Sequence, residues 1–149
     1  MIDHCAPWME RVGWVGNLEA AALGTLPESR RGREFTDSDV YKLIEAMSWE
    51  QGRLPTAKRE QEIQRLIGIV ANAQEPDGYI NTGFGREGQA PRYSDFEWGH
   101  ELYCYGHLLQ AAVARMRTHG SDQFEDVARR VADHVCEMFG EGGIESVCG

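Results

Sequence analysis

Apolar residues recur along this chain with a helical period. Val40, Leu43, Ile44 and Met47 fall at i, i+3, i+4 and i+7, the spacing that gathers side chains on one face of an α-helix. An Asp37-Ser38-Asp39 cluster precedes this stripe, where such residues cap a helix start and favour the positive end of its dipole, and Gly52 ends it. Ile63, Leu66, Ile67 and Val70 repeat the pattern after Pro55-Thr56, with Thr56 as the expected N-cap and an end near Gln74, ahead of Pro76. Leu102, Gly106, Leu109, Val113 and Met116 make a third stripe, and Phe124, Val127, Val131, Val135 and Met138 a fourth, capped by Ser121 or Asp122. Short links, Gln51 to Pro55 and Thr118 to Gly120, have the lengths that join antiparallel helices.

The repeating unit is therefore a helical hairpin, recurring about 61 residues apart from Asp37 to Trp98, and stacked hairpins bury a face that no single one covers. Residues 3–24 add a less regular helical segment containing Cys5, Trp8, Met9, Val12 and then Leu18 to Leu23, while Gly140 to Gly143 and the final Cys148-Gly149 close no element. Tyr79 to Thr82 reads as a short extended piece after the Pro76-Asp77-Gly78 turn. The expected fold class is all-α.

Composition narrows the function classes. With 149 residues, 42% hydrophobic and 26% charged, the chain fits one globular domain. A net charge of −9, with most of the acidic excess in the second half, argues against a nucleic-acid binder. No apolar run is long enough for a membrane span, and Met-Ile-Asp-His-Cys does not begin a secretory signal. Cys5, Cys104, Cys136 and Cys148 are too widely spaced for a disulfide scaffold or a zinc CxxC pair, which leads to the expectation of reduced thiols and a cytoplasmic location. Cys148 has no neighbour that would activate it.

Several motifs carry candidate chemistry. Gly83-Phe84-Gly85-Arg86-Glu87-Gly88 matches GxGxxG, yet no strand precedes it and no helix opens on it, so it reads as a loop. His100, Cys104 and His107 share a helix face, but three ligands on two turns of one helix strain a tetrahedral ion, and packed side chains are the readier explanation. The same segment suits a sugar pocket, since His100 and Glu101 offer polar groups beside the flat faces of Trp98, Tyr103 and Tyr105. Asp37 with Asp39, or Glu75 with Asp77, are paired carboxylates of the kind used in glycoside cleavage, although local sequence does not give their separation.

Three strings in order, Asp37-Ser38-Asp39-Val40-Tyr41-Lys42, Gln74 to Thr82, and His100-Glu101-Leu102-Tyr103-Cys104-Tyr105-Gly106-His107-Leu108, resemble the β-L-arabinofuranosidase family, glycoside hydrolase family 127. The resemblance implies part of an (α/α)6 barrel catalytic domain spanning residues 1–149, about two hairpins plus the N-terminal helical segment. It further implies retaining cleavage by a zinc-bound cysteine nucleophile and a glutamate acid/base. Those groups, with the zinc ligands, match no position of this chain, and no catalytic residue is carried over. Carried over instead is substrate contact: His100 to the sugar, Asp39 and Val40 near the same subsite, and more weakly Asp77, Tyr79 and Glu101, for which a structural role is an equal reading. Leu43 stands where the family often has Trp, and Gly83 where it often has an aromatic residue, departures that bear on sugar preference. The family pattern continues past both ends, so the expectation is a fragment that binds an L-arabinofuranoside or a related neutral sugar, is inactive alone and self-associates through an incomplete barrel face. The alternative from a different class is a small helical-repeat interaction module without catalysis.

Overall fold

A computed structural model describes residues 2–144. Among them lie six helices and no strand: α1 (Ile2–Arg11), α2 (Trp14–Leu23), α3 (Thr36–Arg53), α4 (Ala57–Ala73), α5 (Glu101–His119) and α6 (Gln123–Phe139). The four periodic stretches are α3 to α6. Two expected caps are in place, Thr56 Oγ1 accepting the Arg59 amide at 3.2 Å and Asp122 Oδ1 the Phe124 amide at 2.9 Å. Asp37 does something else. The N-cap of α3 is Phe35, and the Asp37 carboxylate turns into the interior, accepting the Thr82 amide at 2.8 Å and the Thr82 hydroxyl at 2.6 Å. Burial outweighs these bonds and raises the carboxyl above the usual aspartate value. The N-terminal segment is two helices rather than one, because Gly13 takes a left-handed φ of 83° between them.

α3 and α5 lie side by side and parallel: Lys42 meets Tyr103, Glu45 meets Gln110, and a Cβ on Gly52 would press into Thr118. α4 folds back on α3 and α6 on α5, forming a second layer in which α4 contacts both α2 and α6, and α1 packs on α2 and α3. The core between the layers holds Leu18, Tyr41, Ile44, Ile63, Ile67, Leu108, Phe124 and Val131, all fully or almost fully buried. No helix among the described residues is long and apolar enough to cross a membrane. Cys148 lies outside the described residues.

Most of the stripe read on α5 faces away from this core, Leu109 alone of its large side chains packing against it. Leu102, Val113 and Met116 are 40%, 46% and 39% exposed, whereas Cys104, Tyr105, Leu108, Ala111 and Ala112 are buried. Both faces of α5 are apolar, so periodicity alone does not choose between them. The face carrying Ala111, Ala112 and Ala114 lets two helix backbones approach closely, and that face meets the core.

At the far end of the α4/α5/α6 packing, Arg115 is fully buried and bonded to Glu60 at 2.5 and 2.9 Å and to Asp122 at 2.7 Å. These bonds hold Glu60 down to about 2, so the stabilisation is complete above the ordinary glutamate value of 4.5 and is lost as pH falls towards 2. Arg115→Met is expected to destabilise the protein by about 3 kcal/mol at neutral pH. Urea unfolding across pH 7 to 2 should also show the Glu60 contribution to acid destabilisation gone in the variant.

Candidate functional site

Two long connections, residues 24–35 and 74–100, meet the N-terminal ends of α3 and α5 at one end of the molecule. The first is clasped by Asn17, whose side chain donates to the Arg31 carbonyl at 2.7 Å and accepts the Arg31 amide at 2.8 Å. It joins the second through Arg30 Nε, which donates to Thr82 Oγ1 at 3.2 Å while that hydroxyl donates to Asp37. Residues 74–100 form an ordered connection without regular structure. Asn81 Oδ1 accepts the Gly83 and Phe84 amides at 2.7 and 3.1 Å, so the GxGxxG string is a turn folded on its own asparagine, with Phe84 buried. Gly78, at φ 91°, packs so tightly on the Arg130 carbonyl that no Cβ fits, which fixes this connection against α6.

Beneath the surface runs a polar network centred on Glu101. Its carboxylate accepts the Tyr79 hydroxyl at 2.5 Å and the Tyr93 amide at 2.7 Å, and burial raises its carboxyl above the usual glutamate value despite both bonds. Tyr93 OH lies 3.2 Å from Tyr105 OH and 2.8 Å from His134 Nε2, and His134 Nδ1 lies 3.1 Å from the Asp77 carbonyl. A carbonyl only accepts, so Nδ1 carries the proton, Nε2 accepts from Tyr93, and Tyr105 donates to Tyr93. Arg92 closes the set: it pairs with Glu75 and Asp77 at 2.5 Å each and lies over the Tyr79 ring at 3.9 Å. Partial burial pushes the Asp77 carboxyl up, and Arg92 and the Tyr79 amide more than reverse this, leaving it below the ordinary aspartate value.

A second group faces outward. His100 immediately precedes α5 in the left-handed region, φ 58°, which is rare for a residue with a Cβ. Its Nδ1 bonds to the Trp98 carbonyl, and its ring meets Phe35 at 5.5 Å and Tyr103 at 5.7 Å edge to face. His107 meets Tyr103 at 4.7 Å, and burial together with the Lys42 charge lowers its pKa. Lys42 Nζ donates to Ser38 Oγ and Asp39 Oδ1 at 3.2 Å each and to Tyr103 OH at 3.0 Å. Partial burial pulls the Lys42 ammonium down, but the bonds to Tyr103 and Asp39 leave it above the usual lysine value.

The expected contact residues therefore divide. His100 and Asp39 belong to the outward group. Val40, Tyr79 and Glu101 are buried, their side chains engaged inside the protein, and Asp77 is held by Arg92 and the Tyr79 amide. His100, Cys104 and His107 do not converge: both histidine rings contact Tyr103, while the Cys104 thiol is buried below, its pKa raised by that burial. Among the described residues, no three His, Cys, Asp or Glu side chains are grouped to hold a metal ion. Sequence reasoning missed Lys42, Tyr93 and His134. Only His134 left a local signal, a histidine within the apolar stripe of α6, three residues after Val131.

A family model for the catalytic domain of glycoside hydrolase family 127, β-L-arabinofuranosidase, matches residues 7–148. The chain belongs to this family. It is 36% identical over 141 residues to a non-reducing end β-L-arabinofuranosidase of Bifidobacterium longum subsp. longum, covering 91% of this chain and 21% of that protein. A crystal structure of a family 127 β-L-arabinofuranosidase from Geobacillus stearothermophilus T6 superposes with a TM-score of 0.82 at 35% identity, over 89% of this chain and 21% of the other. A further family 127 β-arabinofuranosidase gives 0.84 at 33%, over 95% and 24%. The helix pairs are thus part of the (α/α)6 barrel of family 127, and the chain spans between a fifth and a quarter of these relatives. The zinc and thiolate that the resemblance implied find no fitting donor set among the residues described.

The two groups should respond differently to mutation. Tyr79→Phe leaves the buried Glu101 with one donor fewer and is expected to cost about 2 kcal/mol in urea unfolding. His100→Gly trades edge contacts for relief of the left-handed backbone and should stay within about 1 kcal/mol of the parent.

Proposed function

We propose that this chain forms the sugar-binding end of a retaining β-L-arabinofuranosidase catalytic domain and contributes no catalytic group of its own. The observation that carries the reading is the conformation of His100. A strained backbone is kept where the surroundings hold it, and here it turns an imidazole outward beside an exposed tyrosine. Because Nδ1 is committed to the Trp98 carbonyl, the neutral ring offers Nε2 as an acceptor for a hydroxyl of a terminal β-L-arabinofuranosyl ring. Tyr103 supplies a flat face, with Asp39 as a further acceptor steadied by Lys42. Glu101, Tyr79, Asp77 and Val40 act from within, holding the connection and α5 in register.

Retaining hydrolysis needs a nucleophile and an acid/base. The reading places both, with their zinc, in other parts of the longer domain. Cys5, Cys104 and Cys136, the free thiols among the described residues, support a cytoplasmic location. The outward apolar stripe of α5 supports self-association of the isolated chain, in the manner of a repeat unit missing its neighbour.

NMR titration of the 149-residue chain with methyl β-L-arabinofuranoside should shift His100 and Tyr103 side-chain signals, and His100→Gly should abolish the Tyr103 shift. Signals at both residues that stay fixed at saturating sugar would overturn the pocket. An aryl β-L-arabinofuranoside should bind without being cleaved, and zinc-dependent turnover by the purified chain would refute the division of labour. Light scattering should show concentration-dependent association that Val113→Lys with Met116→Lys removes; a parent chain monomeric at every concentration would contradict it.

A further inference from the structure

We propose that Lys42 is a positioning residue that makes the Tyr103 hydroxyl a hydrogen-bond donor towards the ligand, so that the site demands an acceptor atom at Tyr103 as well as a donor hydroxyl at His100; this rests on the reading that the outward group binds the terminal sugar ring.

The direction of each bond follows from the chemistry of Lys42. An ammonium has three protons and no lone pair, so every hydrogen bond it makes is a donation. One proton goes to Asp39 Oδ1 at 3.2 Å. A second goes to Ser38 Oγ at 3.2 Å, which accepts it while donating its own proton to the Phe35 carbonyl at 2.7 Å. The third goes to Tyr103 OH at 3.0 Å. The phenol oxygen is therefore an acceptor on its Lys42 side. Its own proton has no acceptor among the described residues, and the adjacent positive charge turns the O–H bond away from Nζ.

The ring that carries this hydroxyl is held on two sides. His100 meets it edge to face at 5.7 Å and His107 at 4.7 Å, and Lys42 Nζ lies 5.1 Å from its centroid. Lys42 and Tyr103 belong to different helices and lie 61 residues apart, so the packing of α3 on α5 sets the direction of the hydroxyl. Tyr103 is nevertheless 45% exposed, which leaves its outer side open to a ligand.

His100 makes the opposite demand. Its Nδ1 is committed to the Trp98 carbonyl and carries the proton, so Nε2 keeps a lone pair. A ring bearing several hydroxyls meets both demands, because each hydroxyl donates and accepts. An apolar ring stacked on Tyr103 would strip water from the phenol proton and from the imidazole lone pair and pair neither. Lys42 acts without touching the sugar, since its three protons are already placed. A hydroxyl that donates becomes a better acceptor, so a sugar bound at Tyr103 strengthens the bond from Lys42.

The test titrates methyl β-L-arabinofuranoside by NMR into the 149-residue chain, into Lys42→Met and Tyr103→Phe, and into the variant carrying both changes. Each single change should weaken binding about fivefold, equivalent to about 1 kcal/mol, and the double variant should lose no more than either, because both changes remove the same hydrogen bond. Lys42→Arg, which keeps a charged donor, should recover most of the loss. Fivefold losses that multiply in the double variant, or parental affinity in Lys42→Met, would overturn the role of Lys42 while leaving the sugar site intact. In the unmutated chain the nitrogen signal of the Lys42 ammonium should shift on sugar binding, and Tyr103→Phe should abolish that shift; this measurement stands even where Lys42→Met does not fold, and an ammonium signal indifferent to the sugar would overturn the proposal. Sugar-induced shifts at neither His100 nor Tyr103 would remove the site itself and this role with it.

Discussion

Glu101 opens α5 with a carboxylate buried among aromatic rings, where it accepts the Tyr79 hydroxyl and the Tyr93 amide. Those donors sit on the two legs of the long connection between α4 and α5, so one side chain ties both legs to one helix start. The helix dipole favours a negative charge at that position, and two strong donors offset part of the cost of burial. The consequence reaches the next residue. With Glu101 drawn inward and Gly99 wedged against the Asp95 carbonyl, His100 bridges them in a left-handed backbone and projects its ring outward.

Asp37 plays the matching part at the start of α3. It holds Thr82 by amide and hydroxyl, and through Thr82 it reaches Arg30 of the preceding connection. Two buried carboxylates on two parallel helices thus fix the same connection at separate points, and between them the outward surface takes shape from Lys42, Tyr103, His100 and His107. Most of the polar atoms in this region serve the fold.

The family likeness accounts for the face that the core does not use. A barrel of helix pairs needs inner helices that are apolar on more than one side, since each packs on its neighbours as well as on its own partner. α5 has this character: alanines and Leu108 meet the core, and Leu102, Val113 and Met116 point outward. The same property explains why hydrophobic periodicity identified the helix but placed most of its core stripe on the outward side.

The sequence by itself determined the four long helices, because local spacing of apolar residues and local capping at Thr56 and Asp122 suffice to specify them. It also determined the family, since three strings in order are a longer signal than any one motif, and it placed His100 in a polar, aromatic-rich segment. The tertiary structure alone decided which face of α5 is buried, that Asp37 is an anchor rather than a cap, and that the Tyr79 and Glu101 side chains bond inside while the His100 ring faces outward. Each of these depends on partners distant along the chain: Thr82 lies 45 residues from Asp37, Glu101 lies 22 from Tyr79, and Tyr103 lies 61 from Lys42. Local propensity carries no information about such pairings, and the burial that gives each carboxylate its role exists only once the layers have closed.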